Sequence, residues 1–172
     1  NAGFGVYGRF DETDLDLEMD LINVNIKAVH ILAKLFIRDF IARDYGYILN
    51  VASLAGYLPG PLMAAYYASK AYVLRFSEAL YGEMKHRGCN VHVSALCPGP
   101  VQTEFNQVAG VRFALKGKTA KEVAKIAVRG MFEEKRVIIP GALMKCSHAL
   151  LRLTPVQLQL RASYFIQQRK KS

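Results

Sequence analysis

Three consecutive pieces of the 172-residue chain decide its architecture: Tyr47-Ile48-Leu49-Asn50-Val51-Ala52-Ser53, the loop markers Gly56, Pro59, Gly60 and Pro61, and Ala64-Ala65-Tyr66-Tyr67-Ala68-Ser69-Lys70-Ala71. The first is short and largely apolar, which predicts a buried strand whose far end delivers Ser53. From Met63 to His86 there is no proline and only Gly82 as glycine, which predicts a long helix carrying Tyr66 and Lys70 in its first turns. Gly88 stops that helix, and Asn90-Val91-His92-Val93-Ser94-Ala95-Leu96 predicts a second buried strand, broken by Pro98-Gly99. Strand, helix and strand in this order build a layered α/β domain with a parallel sheet.

The pattern extends in both directions. Residues 11–44 open with Asp11, Thr13 and Asp14 as capping residues. Leu15, Met19, Ile22, Ile26, Val29, Leu32, Ala33, Phe36, Ile37 and Phe40 then recur at helical spacing. Thr119 to Glu134 predicts a further helix with Val123, Ile126, Ala127 and Met131 on one side, and Arg136-Val137-Ile138-Ile139-Pro140 a last short strand. The segment 142–172 mixes Leu143, Leu150, Leu151, Leu158 and Phe165 with Lys145, Arg152, Arg161 and Arg169. It is expected to pack over the substrate side of the domain or on a second subunit, with an interfacial membrane helix as the alternative. No internal repeat or low-complexity linker appears, so residues 1–172 read as one domain.

Composition narrows the class. A hydrophobic fraction of 52% supplies a core, and no uninterrupted apolar run of spanning length occurs. The opening Asn1-Ala2-Gly3-Phe4 does not have the charged, apolar and small-residue succession of a secretory signal, so none is expected there. Cys89, Cys97 and Cys146 are odd in number and widely spaced, which argues against a disulfide framework and for a reducing, cytoplasmic setting. The three thiols are expected to be structural, with alkylation of Cys97, just before Pro98-Gly99, as the alternative. His30, His86, His92 and His148 show no metal-binding spacing, so no metal site is expected. The net charge of +9 is concentrated toward the carboxyl end, yet no base-stacking motif accompanies it, and nucleic acid is not an expected partner.

The chemistry-bearing residues lie where an open α/β sheet binds ligands, just beyond the strands. A four-residue step puts Tyr66 and Lys70 on one face of a helix, so the ammonium is expected to favour the phenolate of Tyr66. Tyr67, three residues from Lys70, is the competing tyrosine. Gly3, Gly5 and Gly8 match G-x-G-x-x-G by count, but no strand precedes them and no helix follows directly; we read the match as accidental.

Tyr66 and Lys70, Ser53 thirteen residues before Tyr66, Asn25, and Pro98-Gly99-Pro100-Val101-Gln102-Thr103 occur in the order that resembles the classical short-chain dehydrogenase/reductase family. The resemblance covers most of the chain and corresponds to the carboxyl-terminal two-thirds of such an enzyme. It implies a Rossmann-like, doubly wound parallel sheet that is incomplete here, because the family's glycine-rich turn and first strands would precede Asn1. It also implies hydride transfer between NADP, or else NAD, and a carbonyl or secondary alcohol. Tyr66 would be the acid/base, Lys70 its activator, Ser53 the donor to the substrate oxygen, and Asn25 part of a water relay. Asn1, Ala2 and Gly3 would approach the cofactor, as would Pro98, Gly99, Val101 and Thr103 beside the nicotinamide, with Lys70 on its ribose. A homo-oligomer formed through the helices around Leu15–Phe40 and Met63–His86 is implied as well. Apolar residues at Pro61, Leu62, Met63, Val108, Val111 and Phe113 suggest a fairly hydrophobic small-molecule substrate. The alternatives are a non-catalytic binding or scaffold module of the same family, and a membrane-surface protein working through its basic tail.

Overall fold

A computed structural model of the chain describes residues 2–102, 117–151 and 153–168. Helix α1 (Leu15–Ile22) starts on Asp14, whose carboxylate accepts from the Leu17 amide at 3.0 Å. It widens into a π-helical turn at Asn23–Ala28 and continues as α2 (Val29–Ala42). The periodicity of residues 11–44 is thus one helical run from Leu15 to Ala42, with a widened turn that centres on Asn25. Strand β1 (Gly46–Val51) follows, then a 3₁₀ turn at Leu54–Tyr57 and helix α3 (Ala64–Arg87), which ends on Gly88 at φ 70°.

Strand β2 (Val91–Leu96) leads to the two-residue strand β3 (Val101–Gln102), which pairs with β4 (Lys118–Thr119). Helix α4 (Ala120–Phe132) begins in a reciprocal capping box between Thr119 and Glu122. Strand β5 (Val137–Ile138) and helices α5 (Ala142–Leu151) and α6 (Val156–Gln168) complete the described chain.

The main sheet has the order β1-β2-β5, and every pairing is parallel. The register runs from Gly46 opposite Val91 to Val51 opposite Leu96, and Ala95 lies opposite Val137. Alternation along β2 sends Val91, Val93 and Ala95 to one face, where they meet Ile37 of α2 and Val73, Leu74 and Met84 of α3. Leu96 and Ile138 face the other way, against Val123 and Ala127 of α4. Both faces are therefore covered, which is why the strands read as continuous apolar runs. Completely buried Val73 and Leu74 each contribute on the order of 1.5–3 kcal/mol. This is a doubly wound, Rossmann-like α/β arrangement of which the chain forms part.

Candidate active site

Parallel pairing of β1 and β2 brings their carboxyl ends level, and this alone places Ser53 beside Pro98. The Leu54 amide donates to the Pro98 carbonyl at 3.0 Å and the Ser53 hydroxyl reaches the same oxygen at 3.5 Å. Ser53 also caps the 3₁₀ turn, its Oγ accepting from the Ala55 amide at 3.1 Å, so its side chain is fixed by the backbone on both sides. A cavity of about 490 Å³ opens over these strand ends, lined by Gly3, Ser53, Tyr66, Lys70, Gly99 and Val101 among others, with Val123 and Ala124 of α4 opposite. That volume lies within the usual range of roughly 300–1,000 Å³ for small-molecule sites.

Helix α3 brings Tyr66 and Lys70 into this cavity one turn apart. The Tyr66 phenol is hydrogen-bonded to the Ser53 hydroxyl, and the Lys70 Nζ stands 5.8 Å from the Tyr66 ring centroid. Lys70 is buried and donates to the Val51 carbonyl at 2.9 Å. The electrostatics differ from the sequence-based expectation. Burial, rather than Lys70, dominates Tyr66 and pushes its phenol up to about 12 against the lowering influence of Ser53. The same desolvation pulls Lys70 down to about 8. At neutral pH the site thus holds a protonated phenol beside a costly buried ammonium.

Asn25 is fully buried at the widened turn between α1 and α2, a kind of distortion often found at functional sites. Its Nδ2 donates to the Phe4 carbonyl and to Ser69 Oγ, both at 3.0 Å, and its Oδ1 accepts from the Phe4 amide at 3.2 Å. Asn25 therefore ties the segment at Gly3–Phe4 to α3. A Cβ added to Gly3 would stand 2.9 Å from Asn25 Oδ1 and 3.5 Å from Lys70 Nζ, so only a bare Cα fits between them.

Pro98, Gly99 and Val101 line the cavity, together with Gly3, Ser53, Tyr66 and Lys70; Ala2 is exposed and does not line it. Asn1 and Thr103 lie outside the described residues, as do Val108, Val111 and Phe113 of the expected hydrophobic lip. Of the rest of that lip, Met63 lines the cavity.

Cys97 is fully buried and hydrogen-bonded to Tyr57, and burial pushes its thiol up to about 12, which agrees with a structural thiol and not with the alkylation alternative. Among the described residues no group of three or more His, Cys, Asp or Glu side chains comes together as a metal site.

The structure gives the competing tyrosine, Tyr67, a place in the wall and adds partners that the sequence pattern did not single out. The Tyr67 ring lines the cavity, meets Tyr66 edge-on at 5.9 Å between centroids, and lies so close to Gly60 that a Cβ there would come within 2.1 Å of it. The Tyr67 hydroxyl accepts from Gln167 of α6, while the Tyr7 hydroxyl donates to the Gln167 carbonyl at 3.2 Å. The tail thus folds onto the cavity wall. Only the 100-residue gap between Tyr67 and Gln167 hid this contact, since neither residue carries a local signal for it.

A tyrosine and a serine thus stand together at the carboxyl end of a parallel sheet, with a buried lysine one helical turn on. The profile described as short chain dehydrogenase matches residues 1–111, and the chain belongs to that family. A very-long-chain 3-oxoacyl-CoA reductase from Anas platyrhynchos is 32% identical over 147 residues, covering 85% of this chain and 46% of that protein. A short-chain dehydrogenase from Sphingobium yanoikuyae in complex with NADPH superposes with a TM-score of 0.78 at 29% identity, covering 88% of this chain and 59% of that one. A short chain dehydrogenase/reductase from Burkholderia phymatum in complex with NAD gives 0.77 at 26%, covering 87% and 62%. The chain spans about half the length of the curated relative and three-fifths of the two solved structures.

Proposed function

We propose that the full-length protein is an NAD(P)-dependent oxidoreductase that interconverts a carbonyl and a secondary alcohol. The observation that carries this reading is the hydrogen-bonded pair Ser53–Tyr66 beside buried Lys70 at the mouth of an apolar cavity. The residues present fit a nicotinamide dinucleotide. Lys70 has three N–H donors, of which the Val51 carbonyl takes one, and the bare Cα of Gly3 leaves an approach beside it. When bound, the cofactor supplies or accepts the hydride at the carbonyl carbon.

The protein's own residues manage the oxygen. Ser53 donates a hydrogen bond to it and Tyr66 Oη delivers its proton as the carbonyl is reduced, so that one hydride and one proton yield the alcohol. Tyr66 is protonated at neutral pH, as reduction requires, and burial raises its phenol further above the ordinary value. Lys70, as ammonium below about pH 8, offsets the charge left on the phenolate. Asn25 acts by fixing the Gly3–Phe4 segment and α3 relative to each other, and in this reading it contributes to the relay that returns a proton to the site.

The cavity wall of Leu54, Leu58, Met63, Tyr67 and Val123 favours an apolar, fairly bulky ketone. A cytoplasmic homo-oligomer belongs to the same proposal, supported by the exposed Leu17, Ile31 and Leu35 along α1 and α2.

The test is a panel of carbonyl substrates with NADPH and NADH on the full-length protein and its Tyr66→Phe variant. We expect kcat to fall by roughly 10²–10⁴ in the variant, the range for a general acid. Unchanged turnover would remove Tyr66 from the reaction.

A further inference from the structure

Helix α6 is docked the opposite way from an ordinary amphipathic helix. Its inward stripe is Gln159, Ser163 and Gln167, at 9%, 6% and 0% exposure, whereas Leu158 and Ile166 are 54% and 56% exposed. The inward amides have specific partners. Gln159 Nε2 donates to the carbonyls of Leu151 at 2.9 Å and Thr154 at 2.8 Å, capping the end of α5, and Gln167 donates to Tyr67. Helix α5 follows suit: His148 packs on the Tyr57 ring and Met144 against the core, leaving Leu143 and Leu150 each 67% exposed, with Leu153 in the connecting turn at 84%. In water the hydrophobic effect favours the reverse arrangement, so the outward hydrocarbon calls for an occupant.

Charge identifies the occupant. From Ala142 to Ser172 the sequence contains no Asp or Glu and six Lys or Arg. Lys145 and Arg161 are exposed on the two helices, and Arg161 shares a face of α6 with Leu158, three residues away. A second copy seated symmetrically on this surface would oppose like charges, because a two-fold contact is self-complementary. Exposed hydrocarbon interspersed with base and free of acid is complementary to an anionic phospholipid surface.

We propose that α5 and α6 seat the protein peripherally on an anionic membrane surface. The seat lies on the surface without crossing it, since no described helix is long and apolar enough to span a membrane. It is also joined to the cavity wall, because Gln167 holds Tyr67.

The test is co-sedimentation of the full-length protein with vesicles of phosphatidylcholine alone and of phosphatidylcholine mixed with phosphatidylserine, without cofactor or substrate. The outcome is therefore independent of the oxidoreductase reading. Binding to the anionic vesicles is expected, weakening with salt and falling about tenfold or more in Leu150→Glu/Leu158→Glu, whose positions are exposed and whose melting temperature should match wild type. Failure to sediment, equal binding to both vesicle types, or unchanged binding by the double variant would each overturn the proposal. So would loss of a dimer in that variant without any vesicle binding, which would assign the face to a second copy.

Discussion

Replacing Lys70 with methionine should stabilise the protein while ending its activity. The side chain is 7% exposed, and burial carries its pKa from the ordinary 10.5 to about 8. At about 1.4 kcal/mol per pH unit, that displacement corresponds to about 3 kcal/mol, the penalty for keeping an ammonium inside the protein at neutral pH. Methionine is unbranched and fills a similar space. It loses the donation to the Val51 carbonyl, which offsets about 1 kcal/mol of the gain. The expected net stabilisation at pH 7 is therefore about 2 kcal/mol, or roughly 1 M in a urea midpoint for a slope of about 2 kcal/mol/M.

The pH dependence carries the sign. Because the folded pKa lies below the unfolded one, the unfolded chain binds more protons between about pH 8 and 10.5, and wild-type stability rises across that window. The advantage of the variant is complete below about pH 8 and shrinks as pH approaches 10.5. Urea unfolding of the full-length protein and its Lys70→Met variant, without cofactor, at pH 7 and pH 10 measures both quantities. A variant no more stable than wild type at pH 7, or an advantage that ignores pH, refutes the reasoning.

Asn25→Ala strands the Phe4 amide and carbonyl and removes a partner of Ser69; a loss of about 3 kcal/mol is expected in urea unfolding, with kcat falling as the Gly3–Phe4 segment loosens. Gly60→Ala drives a methyl group into the Tyr67 ring and should cost about 1–3 kcal/mol. In steady-state assays it should raise KM for a bulky ketone more than it lowers kcat. Tyr67→Phe leaves the fully buried Gln167 amide without its acceptor, and thermal melting should show a loss of about 1–3 kcal/mol, against almost none for Tyr45→Phe at an exposed position.

Local signals fixed most of the elements. Capping at Asp14 and Thr119, the proline-free run into Gly88, and the apolar strands before Ser53 and Pro98 each act within a few residues, so their physics is written in adjacent positions. The same holds for the four-residue step from Tyr66 to Lys70, which helical geometry alone turns into proximity. What only the tertiary structure decided depends on distant neighbours and on burial. The parallel register joins Ser53 to Pro98, the widened turn at Asn25 reaches back to Phe4, and the tail presents glutamines rather than leucines to Tyr67. Desolvation, a property of the enclosing fold and not of the Tyr-to-Lys spacing, made Tyr66 a weaker acid than its neighbour Lys70 had suggested.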